Sequence, residues 1–224
     1  MEANRLSFST STLHLYAEVV FMEVLLRLVM GAIDFGIEQW HPTVNLPEDY
    51  DILDLSDPSK TVHLRLYSVG RYDEVRIGVY NTELFGGNRC VHMGIDIGGP
   101  VGTPVRSVAD GTVAFSGYNS ADGDYGHTVI THHSIQGQDL WILYGHLDAA
   151  STKNCPPGKS ISAGEVIAWF GDRKENGGWP PHLHFQLSYC RPTSHDLPGV
   201  VTLEEREQAL QDFPDPRLVL GPLY

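Results

Sequence analysis

Cysteine is scarce in this chain, with Cys90, Cys155 and Cys190 the only three among 224 residues. An odd and widely spaced set cannot build a disulfide framework, and it fits a reducing compartment. Basic residues are also few, 15 Lys and Arg against 28 Asp and Glu, for a formal net charge of −13. A surface this acidic repels phosphate backbones, so no nucleic-acid partner is expected. Long uncharged hydrophobic runs are missing. The apolar stretch that begins at Leu13 is interrupted by Glu18, Glu23 and Arg27, and falls well short of the ~20 residues that a transmembrane helix needs. The same charges break the pattern of a secretory signal. The chain therefore reads as cytoplasmic, with a damaged or mis-started export signal as the competing reading. No H-E-x-x-H segment occurs, so no helix offers a zinc site with a glutamate base.

What is present points to a globular β protein. Hydrophobic residues make up 42% and charged residues 19%, too apolar for disorder. The 23 Gly and 14 Pro are scattered, which favours a turn-rich fold over a helical bundle. Residues 13–35 read as an amphipathic helix with Glu23, Arg27 and Asp34 on one stripe, expected to pack on the protein or on a protein partner. Residues 41–60 form an acidic, Pro-punctuated linker carrying Glu48, Asp49, Asp51, Asp54 and Asp57 against one Lys. It is expected to be solvated; a carboxylate from it placed over a metal site is the less ordinary reading. From Thr61 short alternating runs such as TVHLRLYSV, VHMGIDI, HTVITHH, LWILYGHL and HLHFQLSY follow one another. Such spacing predicts a mainly β fold, a compact antiparallel sandwich or barrel-like domain. A helix is expected over 202–212, before a Pro-rich tail. The expected division is thus 1–60, helix and linker; 61–192, the β-rich domain; and 193–224, a C-terminal extension with a short helix.

The chain holds 11 His, and their placement carries the chemistry. Read as a strand, VHMGIDI puts His92, Gly94 and Asp96 on one face and Met93, Ile95 and Ile97 toward the core. Gly94 leaves space above the backbone that suits a bound ion; a plain His–Asp hydrogen bond on a solvated face fits equally well. In HLHFQLS, His182, His184 and Gln186 share a face while Leu183, Phe185 and Leu187 pack inward. Two imidazoles about 7 Å apart along a strand can converge on one small site. In LYGHL, Tyr144 and His146 are expected on one face, opposite Leu143 and Leu147. Catalytic zinc takes three N or O protein ligands and keeps an open position for water. Two His and one Asp fit that count and leave two imidazoles uncommitted.

Taken together, His92-Met-Gly-Ile-Asp96, Tyr144-Gly-His146-Leu147 and His182-Leu-His184 resemble the signature of the lysostaphin/LytM-type zinc endopeptidases, in that family's order. The spacers GTPVRSVADGTV, GHTVITHH and GKSISAGEVIAWFG are similar too, and the resemblance covers residues 85–188. It implies a zinc metalloendopeptidase with one zinc per chain, ligated by His92, Asp96 and His184. It makes His146 and His182 the uncoordinated catalytic imidazoles. It also implies a peptide substrate of the peptidoglycan cross-bridge type and, by analogy, an extracytoplasmic location.

The chain departs from the family in three places. Gly126-His127-Thr128-Val129 replaces a G-N-x-V segment, Gln186 stands where a Glu often follows, and GDRKENGGWPP is longer than the usual loop, bringing Trp179 and two prolines to the cleft. The pair GRYDEVR and GGWPPHLHFQ looks closer to relatives joined to phosphotransferase- and aminotransferase-like chains, which makes a non-wall substrate an expectation in its own right. His132 aligns with a family histidine whose role is either supporting or structural. Cys90 shares strand parity with His92 and is expected as a buried thiol. The alternative function is a catalytically silent domain of the same fold that regulates a partner hydrolase.

Overall fold

The alternating segments become strands because each places apolar side chains on one face at period two. The computed structural model describes residues 32–57, 59 and 64–224. The helix expected over 13–35 lies outside the described residues for nearly all of its length. The strands are β1 (Asp51–Ile52), β2 (Ser68–Gly70), β3 (Glu74–Val75), β4 (Val91–His92), β5 (Ile95–Gly98), β6 (Pro104–Arg106), β7 (Gly111–Asn119), β8 (Gly126–Ile135), β9 (Gln138–Leu147), β10 (Ser160–Ile161), β11 (Val166–Trp169), β12 (His182–Ser188) and β13 (Val200–Val201). The described residues also form short helices α1 (Ala149–Asn154), α2 (Arg206–Asp212) and α3 (Arg217–Leu220), and 3-10 turns at Phe35–Ile37 and Glu83–Phe85.

Eight strands form the main sheet, in the order β1-β2-β5-β12-β9-β8-β7-β10, antiparallel except for the parallel pair β1·β2. Two small sheets, β11-β6 and β13-β4-β3, lie beside it. The long hairpin β8–β9 turns through Gln136 and Gly137, both with positive φ, +52° and +77°. That is the two-residue turn whose twist matches paired strands. On β12, Leu183, Phe185 and Leu187 are fully buried, and each contributes roughly 1.5–3 kcal/mol of hydrophobic stabilisation. They stand opposite Ile97 and Ile95 of β5 and Tyr144 and Ile142 of β9.

The opposite face of the same strands carries the polar residues and a second core. Tyr125, Trp141 and Leu143 pack there with Val91, Met93, Leu197, Val201 and, from α2, Ala209. Phe35–Tyr224 forms one compact unit, so residues 35–57 and 193–224 belong with the β-rich domain. The described part of the acidic linker is not simply solvated. Asp51 is buried and accepts from the backbone NH groups of Leu64 and Arg65 and from the Arg65 guanidinium, which hold its carboxyl below the usual range.

Three local expectations change. VHMGIDI is two strands rather than one: the chain bends at Met93 and Gly94, so β4 pairs with β3 and β13 while β5 enters the main sheet. The helix expected from Thr202 starts at Arg206. Thr202 and Glu205 cap its entry reciprocally, with Glu205 N donating to Thr202 Oγ1 and Thr202 N to the Glu205 carboxylate. Lastly, β9 carries a bulge near its end, where its pairing with β8 shifts register.

Candidate metal centre

Sheet register assembles the site. His184 on β12 faces Asp96 on β5 and Gly145 on β9, so three adjacent central strands meet at one point. His92 arrives from β4 across the bend at Gly94. A Cβ on Gly94 would lie 2.5 Å from the His184 ring and 2.9 Å from the Phe185 carbonyl oxygen. The space that Gly94 leaves above the backbone is therefore taken by the His184 imidazole.

His146 joins by way of the bulge, not by simple alternation. Tyr144 pairs with Phe185, on the face opposite His184, and its ring meets Phe185 edge-on at 5.4 Å. The expectation that Tyr144 and His146 share a face is therefore wrong. His146 has φ +62°, a left-handed conformation costing a non-glycine residue about 1–2 kcal/mol, and this turns its ring toward His182 at 4.2 Å between centroids. Its backbone is held in place by His146 N donating to the Tyr125 carbonyl and by Gly171 N donating to the His146 carbonyl.

The ring hydrogens follow from their partners. His92 Nδ1 lies 2.8 Å from the Arg71 carbonyl, which can only accept, so Nδ1 carries the proton and Nε2 is a bare lone pair. Gln186 donates its amide to the Pro198 carbonyl, which turns Oε1 to His184 Nε2 at 3.0 Å, leaving His184 Nδ1 bare. His92 Nε2, His184 Nδ1 and Asp96 Oδ1 then converge at 3.0, 3.1 and 3.1 Å from one another. Three acceptors in contact with no hydrogen between them repel one another unless a cation sits among them. A tetrahedral zinc ion with bonds of about 2.0–2.1 Å would set its ligand atoms about 3.3 Å apart, close to the triangle observed. The set fits a metal ion.

Electrostatics favour His92 and Asp96 in forms that can bind a cation. Burial, followed by the Arg76 charge, pushes His92 down to about 4, although Asp96 pulls the other way. Burial would raise Asp96, yet the neighbouring His92 and the Arg76 guanidinium hold it well below the usual carboxylate range. The two remaining imidazoles are shifted toward the neutral form as well. Burial, with His182 and His184 nearby, depresses His146 strongly, and burial depresses His182 against the pull of Asp96.

One loop orients both of these imidazoles. His146 Nδ1 donates to the carbonyl of Asn176 at 2.8 Å and His182 Nδ1 to that of Pro180 at 2.7 Å. Each ring is thus left with a bare Nε2, that of His182 lying 3.7 Å from Asp96 Oδ1. The long GDRKENGGWPP segment is ordered around Asn176, whose fully buried side chain bonds to Gly171 and, twice, to the Trp179 backbone.

The five side chains open into a cleft of about 710 Å³ whose walls include Leu53, Leu66, Tyr80, Phe85 and Trp179. Among the described linker residues, Leu53 and Leu55 reach it and no carboxylate does. His132 is outside the site: it pairs with Asp139 at 2.7 Å and stacks on Trp141. Cys90 is half-buried and packs on the second core. Sequence reasoning missed Arg76, which donates to Asp96 Oδ2 at 2.7 Å. It also missed Tyr125, whose ring lies 5.5 and 5.2 Å from those of His146 and His184.

The chain is similar to several known proteins. The chain is 38% identical over 96 residues to the DD-carboxypeptidase/endopeptidase Mpg of Neisseria meningitidis, covering 43% of this chain and 20% of that protein. It is 34% identical over 122 residues to the glycyl-glycine endopeptidase ALE-1 of Staphylococcus capitis, covering 53% of this chain and 30% of the relative. The chain thus spans no more than 30% of the length of either protein. The catalytic domain of lysostaphin from Staphylococcus simulans aligns with a TM-score of 0.46 at 23% identity, covering 70% of this chain and 93% of that one. Residues 90–195, which hold all five side chains of the site, match peptidase family M23 and form a domain of that family, the lysostaphin/LytM-type domain that the histidine segments resemble.

Proposed function

We propose that the chain is a zinc-dependent metalloendopeptidase that hydrolyses peptide bonds in cross-bridges of the peptidoglycan type. His92 Nε2, Asp96 Oδ1 and His184 Nδ1 would hold one zinc ion. His146 and His182 would be the catalytic imidazoles. The observation that carries the reading is the geometry: His92 Nε2, His184 Nδ1 and Asp96 Oδ1 lie within 3.1 Å of one another, and the His146 and His182 rings stand beside them with Nδ1 turned to backbone carbonyls. Peptidases of family M23 are zinc-dependent. The names of the relatives, an endopeptidase of DD type and a glycyl-glycine endopeptidase, support glycine- or D-amino-acid-containing links as the substrate class.

Zinc bound there supplies a Lewis acid and lowers the pKa of its water to about 7. The chain's own residues do the proton work. With no glutamate base in the site, one bare Nε2, of His146 or His182, takes the proton of the attacking water. The second imidazole can hydrogen-bond to the oxyanion of the tetrahedral intermediate only as the imidazolium, with Nδ1–H kept on its backbone carbonyl and a solvent proton on Nε2. The proton accepted in the first step passes to the departing amine, so the bases return to their neutral state. The backbone carbonyls of Asn176 and Pro180 keep each ring in the tautomer that this requires. A silent regulatory domain would be favoured by a lost ligand, and His92, Asp96 and His184 are all present.

Metal content by mass spectrometry, on protein purified without chelators, tests the first half; one zinc per chain is expected, lost in Asp96→Ala. Hydrolysis of glycyl and D-alanyl peptides tests the second. His146→Ala and His182→Ala should keep the metal and lower kcat by about 10²–10⁴-fold. Zinc loss from either histidine variant would overturn the assignment of roles.

A further inference from the structure

We propose that Arg76 is a positioning residue of the metal centre, a single buried guanidinium that braces two of the three ligands; this rests on the zinc reading above. Arg76 is 2% exposed. Nη1 donates to Asp96 Oδ2 at 2.7 Å and to the Tyr80 hydroxyl at 2.9 Å, Nε donates to Glu74 Oε2 at 2.8 Å, and Nη2 donates to the Arg71 carbonyl at 3.1 Å. The Arg71 carbonyl is also the acceptor that fixes His92 Nδ1, at 2.8 Å. One side chain therefore touches Asp96 directly and His92 through their shared carbonyl.

The consequence for Asp96 is geometric. Its Oδ2 is committed to the guanidinium, so Oδ1 alone faces the imidazoles of His92, His184 and His182 at 3.1, 3.1 and 3.7 Å. A carboxylate held in this way offers a cation one oxygen in one direction, without swinging to present both. Outer partners of this kind keep a ligand's orientation and tune its donor strength. Charge is arranged to match. A lone buried cation costs several kcal/mol, and Glu74, itself buried and accepting from Leu55 N with its other oxygen, joins Asp96 in neutralising it.

The local fold is built around this contact. Gly70 is the register partner of Asp96, and a Cβ there would lie 2.9 Å from Arg76 Nη2 and 3.3 Å from Asp96 Cβ. The chain then reverses through Asp73, whose φ is +53°, and returns Arg76 beneath the carboxylate. Arg206 of α2 pins that reversal with two hydrogen bonds to Asp73, at 2.7 and 2.6 Å. Lysine could not replace the arginine: an ammonium is a point charge, whereas these four acceptors surround a planar fork.

The test is zinc affinity by chelator competition, and the visible spectrum of the cobalt(II)-substituted protein, for wild type, Arg76→Lys, Gly70→Ala and Tyr80→Phe. Arg76→Lys should lower zinc affinity about 10–100-fold and shift the cobalt bands, because the ligand field at Asp96 changes while the charge is kept. Gly70→Ala, which presses on Nη2 at 2.9 Å and more lightly on the Asp96 side chain at 3.3 Å, should shift the bands the same way with a smaller loss. Tyr80→Phe, which takes one acceptor from Nη1 and keeps every ligand and charge, decides the matter if the lysine variant does not fold. Wild-type affinity and an unshifted cobalt spectrum in a folded variant would overturn the role of Arg76 and leave the zinc reading standing. Failure of the wild type itself to bind zinc would overturn the zinc reading first, and this inference with it.

Discussion

Gly94→Ala is the sharpest test of how the site is packed. In the wild type, the absence of a side chain at residue 94 lets the His184 ring lie against the backbone. An added Cβ would meet ring atoms Cε1 and Nε2 at 2.5 Å, against an ordinary contact of 3.4–4 Å. On its other side it would meet the Phe185 carbonyl at 2.9 Å, which is backbone in the middle of β12 and cannot move aside. The ring must therefore retreat by about 1 Å, against the Gln186 hydrogen bond that holds it. Overpacking of this kind costs about 1–3 kcal/mol. In a unit of this size each kcal/mol shifts the melting temperature by about 2–4 °C, so the metal-free variant should melt about 2–12 °C lower. The metal should suffer more. Ligand atoms must lie within about 0.2 Å of their bonding distances, and a displacement several times larger at His184 Nδ1 should lower zinc affinity at least tenfold. Thermal unfolding with and without zinc, together with chelator competition, reads both effects. A variant with unchanged melting temperature and wild-type affinity would refute the packing argument.

His146 provides a second test, since its φ of +62° favours glycine: His146→Gly should be more stable than His146→Ala by about 1 kcal/mol, although both lose the imidazole, and equal denaturation midpoints would remove the strain argument. Gln186→Leu should release the His184 tautomer and weaken zinc binding about 10–100-fold, measured by chelator competition, with Gln186→Glu retaining most of the affinity. Acid stability should carry the mark of His133, which burial pushes down to about 4 and whose ring bonds to Thr131 and to the Asp110 carbonyl. The unfolded chain takes up that proton near pH 6.5 and the folded protein only near 4. The contribution of this residue is thus complete above pH 6.5 and is lost as pH falls toward 4, by at most roughly 3 kcal/mol. Urea midpoints of metal-free protein against pH should slope less in His133→Gln, and parallel curves would count against the assignment.

How far the sequence could be read depended on the kind of information each feature required. Period-two alternation is local, so it placed His182 and His184 on one face and Leu183, Phe185 and Leu187 in the core. It succeeded for His92 and Asp96 even though their segment is two strands, because the bend at Gly94 keeps both residues turned to the same point. It failed at Tyr144 and His146, where a bulge adds a residue and a positive φ reverses the parity. Neither feature has a residue-type signal when the position is a histidine. Arg76 was missed for a different reason. GRYDEVR shows a basic residue two positions after an acidic one, but its meeting with Asp96, twenty positions later, depends on the turn at Asp73 and on α2 holding that turn. The carbonyls of Arg71, Asn176 and Pro180 lie beyond such reading altogether. They set the tautomers of His92, His146 and His182, and since every residue has a carbonyl, no amino-acid choice announces which one will do so. The proposed ligands could therefore be named from side chains alone, while the tautomers on which that proposal rests are set largely by the backbone and follow only from the fold.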